Sequence, residues 1–132
     1  MDAIMLNYMK RATWILLALF MLSACSSAQS QGEDPSAIRV DLVSEPATAV
    51  VLQKMILTAK VTGLEKQDGA TVQFDIRSPV TNVLPEYLEA KPIGEGGYTA
   101  EWTFDKPGTY TIYVHLYRED MHVTKKKQLV VT

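Results

Sequence analysis

From Ile38 to the C-terminus, apolar and polar side chains alternate with a period of two, and no apolar stripe of helical spacing interrupts them. Ile38, Val40 and Leu42 alternate with Arg39 and Asp41. Met55, Leu57, Ala59 and Val61 form a second series that stops at Gly63. Val72, Phe74 and Ile76 alternate with Gln73, Asp75 and Arg77. Tyr98, Ala100, Trp102 and Phe104 are offset from Thr99, Glu101 and Thr103, and Tyr110, Ile112, Val114 and Leu116 follow. Side chains point to opposite faces at successive strand positions, so each series predicts a half-buried strand. Tyr87 to Lys91 reads as a short edge strand between Pro85 and Pro92, and His122 to Val131 as the last strand. Lys66-Gln67-Asp68-Gly69 predicts a hairpin, while Asp105-Lys106-Pro107-Gly108 and Arg118-Glu119-Asp120-Met121 predict turns. About seven strands at this spacing predict an all-β, immunoglobulin-like antiparallel sandwich. Tyr110, two residues after Gly108, sits where a tyrosine corner would lie; Trp102 and Tyr98 read as core.

The N-terminal part is different. Lys10 and Arg11 precede an unbroken apolar run, Trp14 to Leu22. A helix needs roughly 20 apolar residues to span a bilayer, so this run is short for a span and fits the apolar region of a secretion signal. Met9 before Lys10-Arg11 reads as the start of that signal. The run closes on Leu22-Ser23-Ala24-Cys25, which resembles the bacterial lipobox. That resemblance implies diacylglycerol on the Cys25 sulfur and cleavage before Cys25. Residues 1–24 are then a lipoprotein signal peptide, 25–37 a lipidated cysteine with a flexible linker (SSAQSQGEDPSA after Cys25), and 38–132 the folded domain. The expected location is the extracytoplasmic face of the cell membrane. Cys25 is the single cysteine, which excludes an intramolecular disulfide and a Cys-rich zinc site. A net charge of -2 gives no footprint for nucleic acid.

The segments GGYTAEWTFDKPGTYTIYVHL (96–116), DMHVTKKKQLVV (120–131) and MILTAKVTGLEKQDGATVQFDI (55–76) resemble, in order and spacing, the YtkA-like domain family, related to the FixH group. The resemblance covers nearly all of the domain. It implies an immunoglobulin-like fold in a small extracytoplasmic protein, often lipid-anchored, and a link to the copper-dependent assembly of respiratory oxidases. His115, Met121 and His122 match positions where the family tends to carry His, Met and His. The chain departs from the pattern at Ala90-Lys91-Pro92, where a histidine is common, and at Thr124-Lys125, where Met-Pro is common.

The domain has two serines, Ser44 and Ser78, neither in a nucleophile motif. It has no paired-carboxylate motif, and its glycines at 94, 96 and 97 lack the helix that a phosphate loop requires. A non-enzymatic binding or assembly module is therefore the first expectation. A copper-handling accessory protein is the second, with a membrane or respiratory protein as partner, and a passive structural or adhesion domain the third. For the second, a hairpin loop over Arg118–Met121 sets Tyr117 opposite His122 and His115 opposite Thr124. The two imidazoles become diagonal neighbours on one face, with Met121 at the loop edge. Imidazole with thioether suits copper better than zinc or magnesium. The same histidines also read as half-exposed strand residues covered by Tyr113 and Tyr117. The register further sets Lys125 and Lys127 opposite Val114 and Ile112 on the apolar face, which calls for a bulge in the last strand. Lys125-Lys126-Lys127 otherwise reads as a solvated edge that discourages sheet pairing, or as a patch for anionic lipid.

Overall fold

The computed structural model describes residues 3–9 and 32–132. Residues 3–9 are helical. The apolar run and Cys25 lie outside the described residues. Among the described residues, no helix is long and apolar enough to cross a membrane. Glu33–Thr132 is a compact unit of its own.

That unit is all-β. Its seven strands are β1 (Arg39–Glu45), β2 (Lys54–Thr62), β3 (Thr71–Arg77), β4 (Glu86–Gly94), β5 (Gly97–Thr103), β6 (Gly108–Arg118) and β7 (Met121–Val131). All neighbours are antiparallel, in the order β1-β2-β5-β4-β3-β6-β7. β4 is the fold line: Glu86–Ala90 pair with β3, while Lys91, Pro92 and Gly94 pair with β5. On the far side the chain after β1 bridges back to the end of β7. Thr132 N–H donates to the Ala49 carbonyl at 2.9 Å, and Val51 N–H to the Thr132 carbonyl at 2.9 Å. The inward series predicted from alternation supplies the core. Val40, Met55, Leu57, Val61, Val72, Phe74, Ile76, Ile112, Val114 and Leu116 are all buried.

The tyrosine corner is present. Tyr110 is buried, its hydroxyl donates to the Lys106 carbonyl at 2.8 Å, and its ring lies 4.6 Å from that of Phe104. Tyr98 is core as expected, but Trp102 is half-buried and packs at the core's margin.

Three local expectations change. The turn at Lys66–Gly69 exists, with Ala70 N–H donating to Gln67 and Gly69 at φ 76°, but it is no hairpin. β2 is already flanked by β1 and β5, and β3 by β4 and β6, so this segment crosses between layers. The expected short edge strand is nine residues long and includes Pro92. Each half of β4 has a partner on one side only, so a residue without an N–H fits on its open side. The last strand needs no bulge: β7 pairs with β6 without interruption from Met121 to Val131. Lys125 and Lys127 face inward but stay half-buried, because β7 is the last strand of its layer. Their aliphatic stems can lie along the core margin with the ammonium in water.

The folded unit starts at Glu33, five residues before Ile38. The Glu33 carboxylate accepts from the backbone N–H of Glu65 at 2.9 Å and of Lys66 at 3.2 Å, and pairs with Arg118 at 3.2 Å. Asp34 caps the short turn Pro35–Ala37 by accepting from Ser36 N–H. Gly63 is required beneath this segment: its φ is +91°, and a Cβ there would stand 2.1 Å from the Ala37 carbonyl oxygen. The Glu65 N–H, then the Lys66 N–H and Arg118, hold the Glu33 carboxyl below the usual carboxylate range against some desolvation. The unfolded chain therefore takes up this proton at higher pH than the folded one. Stability from Glu33 is complete above the ordinary range and is lost as pH falls through the lowered folded value. In acid thermal scans, Glu33→Gln should lower Tm at pH 7 and flatten its decline below pH 5. A decline as steep as wild type would show that Glu33 does not couple folding to pH.

Candidate functional site

β6 sends Val114 and Leu116 inward, so Tyr113, His115 and Tyr117 face out. β7 sends Val123 inward, so His122 and Thr124 face out. Tyr117 pairs with His122, and His115 with Thr124, in the register expected from the sequence. Three polar atoms meet there. His115 Nδ1 is 3.1 Å from His122 Nε2 and 3.0 Å from Thr124 Oγ1, and Thr124 Oγ1 is 3.3 Å from His122 Nε2. The Tyr117 ring stacks on His122 at 4.3 Å and 17°, which shields one face of that imidazole.

β3 adds the floor. Its outward residues Gln73 and Asp75 pair with His115 and Tyr113 of β6. Asp75 is 2% exposed, and its Oδ2 lies 3.6 Å from His115 Nε2. Arg77 Nη2 donates to Asp75 Oδ2 at 2.8 Å, and Nε lies 3.2 and 3.3 Å from the two carboxylate oxygens. The guanidinium covers the Tyr113 ring at 4.7 Å. Its hydrogen bonds with Asp75 push the Arg77 guanidinium further above its already high range.

Met121 is not brought to the histidines. It opens β7 directly before His122, packs half-buried against the core, and so lies on the opposite face. Ala90, on β4, pairs with Val72 of β3, and β3 separates it from β6 and β7. Among the described residues, no group of three or more His, Cys, Asp or Glu is placed to hold a metal ion. The donor set at this face is therefore two imidazole nitrogens and one hydroxyl. Neither Asp75 nor Thr124 was among the candidate ligands read from the sequence. Thr124 could have been, since it faces His115 across the hairpin. Asp75 could not, because its neighbourhood depends on β3 pairing with a strand some 40 residues away.

No protein-family model matches the sequence, and a search of curated proteins finds no relative. Among solved structures, an engineered protein determined at 1.98 Å superposes with a TM-score of 0.53 and 16% identity. The match covers 75% of this chain and 21% of that one, and at this identity it concerns the fold alone.

Proposed function

We propose that this chain is a non-enzymatic, lipid-anchored extracytoplasmic binding module of the YtkA-like kind, and that its working face is the outer surface of β3, β6 and β7. The observation that carries the binding reading is the convergence of His115 Nδ1 and His122 Nε2 at 3.1 Å. Two nitrogens at about 2.0–2.1 Å from one ion, the scale of a zinc–imidazole bond, subtend roughly 100° at this separation. The rings meet nearly head-on, their centroids 5.3 Å apart, so a single ion can bridge them once each ring tilts by roughly 40° from this contact. Two imidazoles with a hydroxyl and open positions suit copper held as cargo, to be received and handed on, rather than a closed structural site. This favours a copper-handling accessory role, with a membrane or respiratory protein as the exchange partner. The anchoring part of the reading rests on Leu22-Ser23-Ala24-Cys25.

Copper titration of the detergent-solubilised full chain by calorimetry tests the site. His115→Ala and His122→Ala should each weaken binding by more than about 100-fold, beyond the ~10–100-fold typical of losing an outer partner. The double variant should be little worse than either single one, because each loss opens the same site. Met121→Leu should change nothing, since its thioether points into the core margin. Copper binding unaltered in the double variant would remove the metal reading and leave a passive structural or adhesion domain.

A further inference from the structure

Asp75 is a carboxylate buried on the outward face of a sheet, where side chains ordinarily meet water, and coordination by the two imidazoles does not by itself use it. Its charge is paired: Arg77 grips both oxygens from the solvent side. Paired and hydrogen-bonded, it escapes the cost of an isolated buried charge. Beyond that grip, Oδ2 faces His115 Nε2 at 3.6 Å. The opposite ring nitrogen, Nδ1, faces His122 and Thr124.

A neutral imidazole carries one proton, on one of its two nitrogens. With that proton on Nε2, the ring turns a positive N–H toward the Asp75 carboxylate. With it on Nδ1, the ring turns a lone pair toward an anion, and the two repel. The geometry assigns Asp75 as the positioning residue of the histidine pair: it holds His115 as the Nε2–H tautomer, so that the Nδ1 lone pair is aimed where His122 Nε2 also points. This deepens, and rests on, the copper reading above. At 3.6 Å the contact is longer than a hydrogen bond. It should shorten once Nδ1 holds a cation, because coordination draws electron density from the ring and makes the Nε2–H a stronger donor. Carboxylate, imidazole and metal in line is the arrangement by which an outer partner fixes a ligand's tautomer and raises its basicity. In the metal-free protein, His122 Nε2–H or the Thr124 hydroxyl donates to His115 Nδ1. Where His122 Nε2–H is the donor, taking up a cation requires that proton to pass from Nε2 to Nδ1 through solvent, with no net proton gained or lost.

Long-range proton–nitrogen correlation spectra of the histidine-labelled full chain, in detergent and free of metal at pH 8, read the tautomer directly. His115 should show the Nε2–H pattern. In Asp75→Asn the amide can present either edge to the ring, so the population should move toward Nδ1–H and copper affinity should fall about 10–100-fold. Arg77 is 50% exposed and can turn to water when its partner is neutralised, so this variant should fold. If it does not, the wild-type tautomer alone decides. An Nδ1–H pattern for wild-type His115, or an unchanged tautomer in Asp75→Asn, overturns the assignment. A wild-type chain that shows Nε2–H but takes up no copper sinks the metal reading and leaves the tautomer assignment standing.

Discussion

Cys25→Ala should leave the chain uncleaved and without acyl mass, whereas the wild-type chain should sediment with membranes and carry lipid on its N-terminal fragment. The expectation rests on one cysteine placed directly after Leu22-Ser23-Ala24, at the close of a nine-residue apolar run. Each buried methylene of an acyl chain contributes about 0.8 kcal/mol; one chain holds a protein only reversibly, while two suffice for stable anchoring. Losing the cysteine removes both chains at once, so the effect on partitioning should be near total. The fold adds a consequence. Glu33 is bolted to the β6–β7 hairpin through Arg118, which sits next to the Tyr117–His122 pair. An anchor at Cys25 is eight residue steps from Glu33, at most about 29 Å of fully extended chain. With the proposed lipid on Cys25, this length bounds how far Glu33 can stand from the membrane surface. Mature wild-type protein found free in the medium, with Cys25 unmodified, would sink the anchoring reading.

Strand identity was legible because it is local: alternation marks which residues face inward, whatever the strand pairs with. The β6–β7 register was legible for the same reason, since a tight turn fixes pairing within a few residues. The β2–β3 connection was not. A turn signal between two strands looks alike whether the chain doubles back within a sheet or crosses to the other layer, and only the identity of non-local neighbours separates the two. β4 was misjudged in length because prolines count against a strand interior, and a strand open on one side along each half escapes that rule. For the site, the diagonal histidines followed from the hairpin alone. The exclusion of Met121 was also within reach, since neighbours along a strand cannot share a face. Treating Met121 as loop rather than as the first residue of β7 hid that. Asp75 needed the β3–β6 pairing, which is a property of the assembled sandwich.

Phe74→Ala should be the most costly single truncation of the domain, at about 3–5 kcal/mol. The ring is fully buried in the middle of β3, with Leu88 and Val114 as its register partners on β4 and β6. Removing it forfeits the transfer of the ring from water and leaves a void that neighbours on three strands cannot all close. Against a typical total of about 5–15 kcal/mol, that removes from roughly a fifth to all of the stability. Trp102→Ala, though it removes a larger ring, should cost less. Trp102 is half-buried and already borders a cavity of about 330 Å³ with Val83, Leu84 and Lys106, so its loss enlarges an opening to solvent instead of creating a sealed void. Denaturant unfolding of the two variants reads the difference as a shift in midpoint at unchanged slope. A Trp102→Ala loss equal to or greater than that of Phe74→Ala would mean that the indole, and not the β3 ring, is the keystone between the layers. The comparison also bears on the site, because Phe74 lies between Gln73 and Asp75 on β3. A Phe74→Ala protein that remains folded should hold Asp75 less firmly beneath His115, and so bind copper more weakly, while Trp102→Ala should leave that face unchanged.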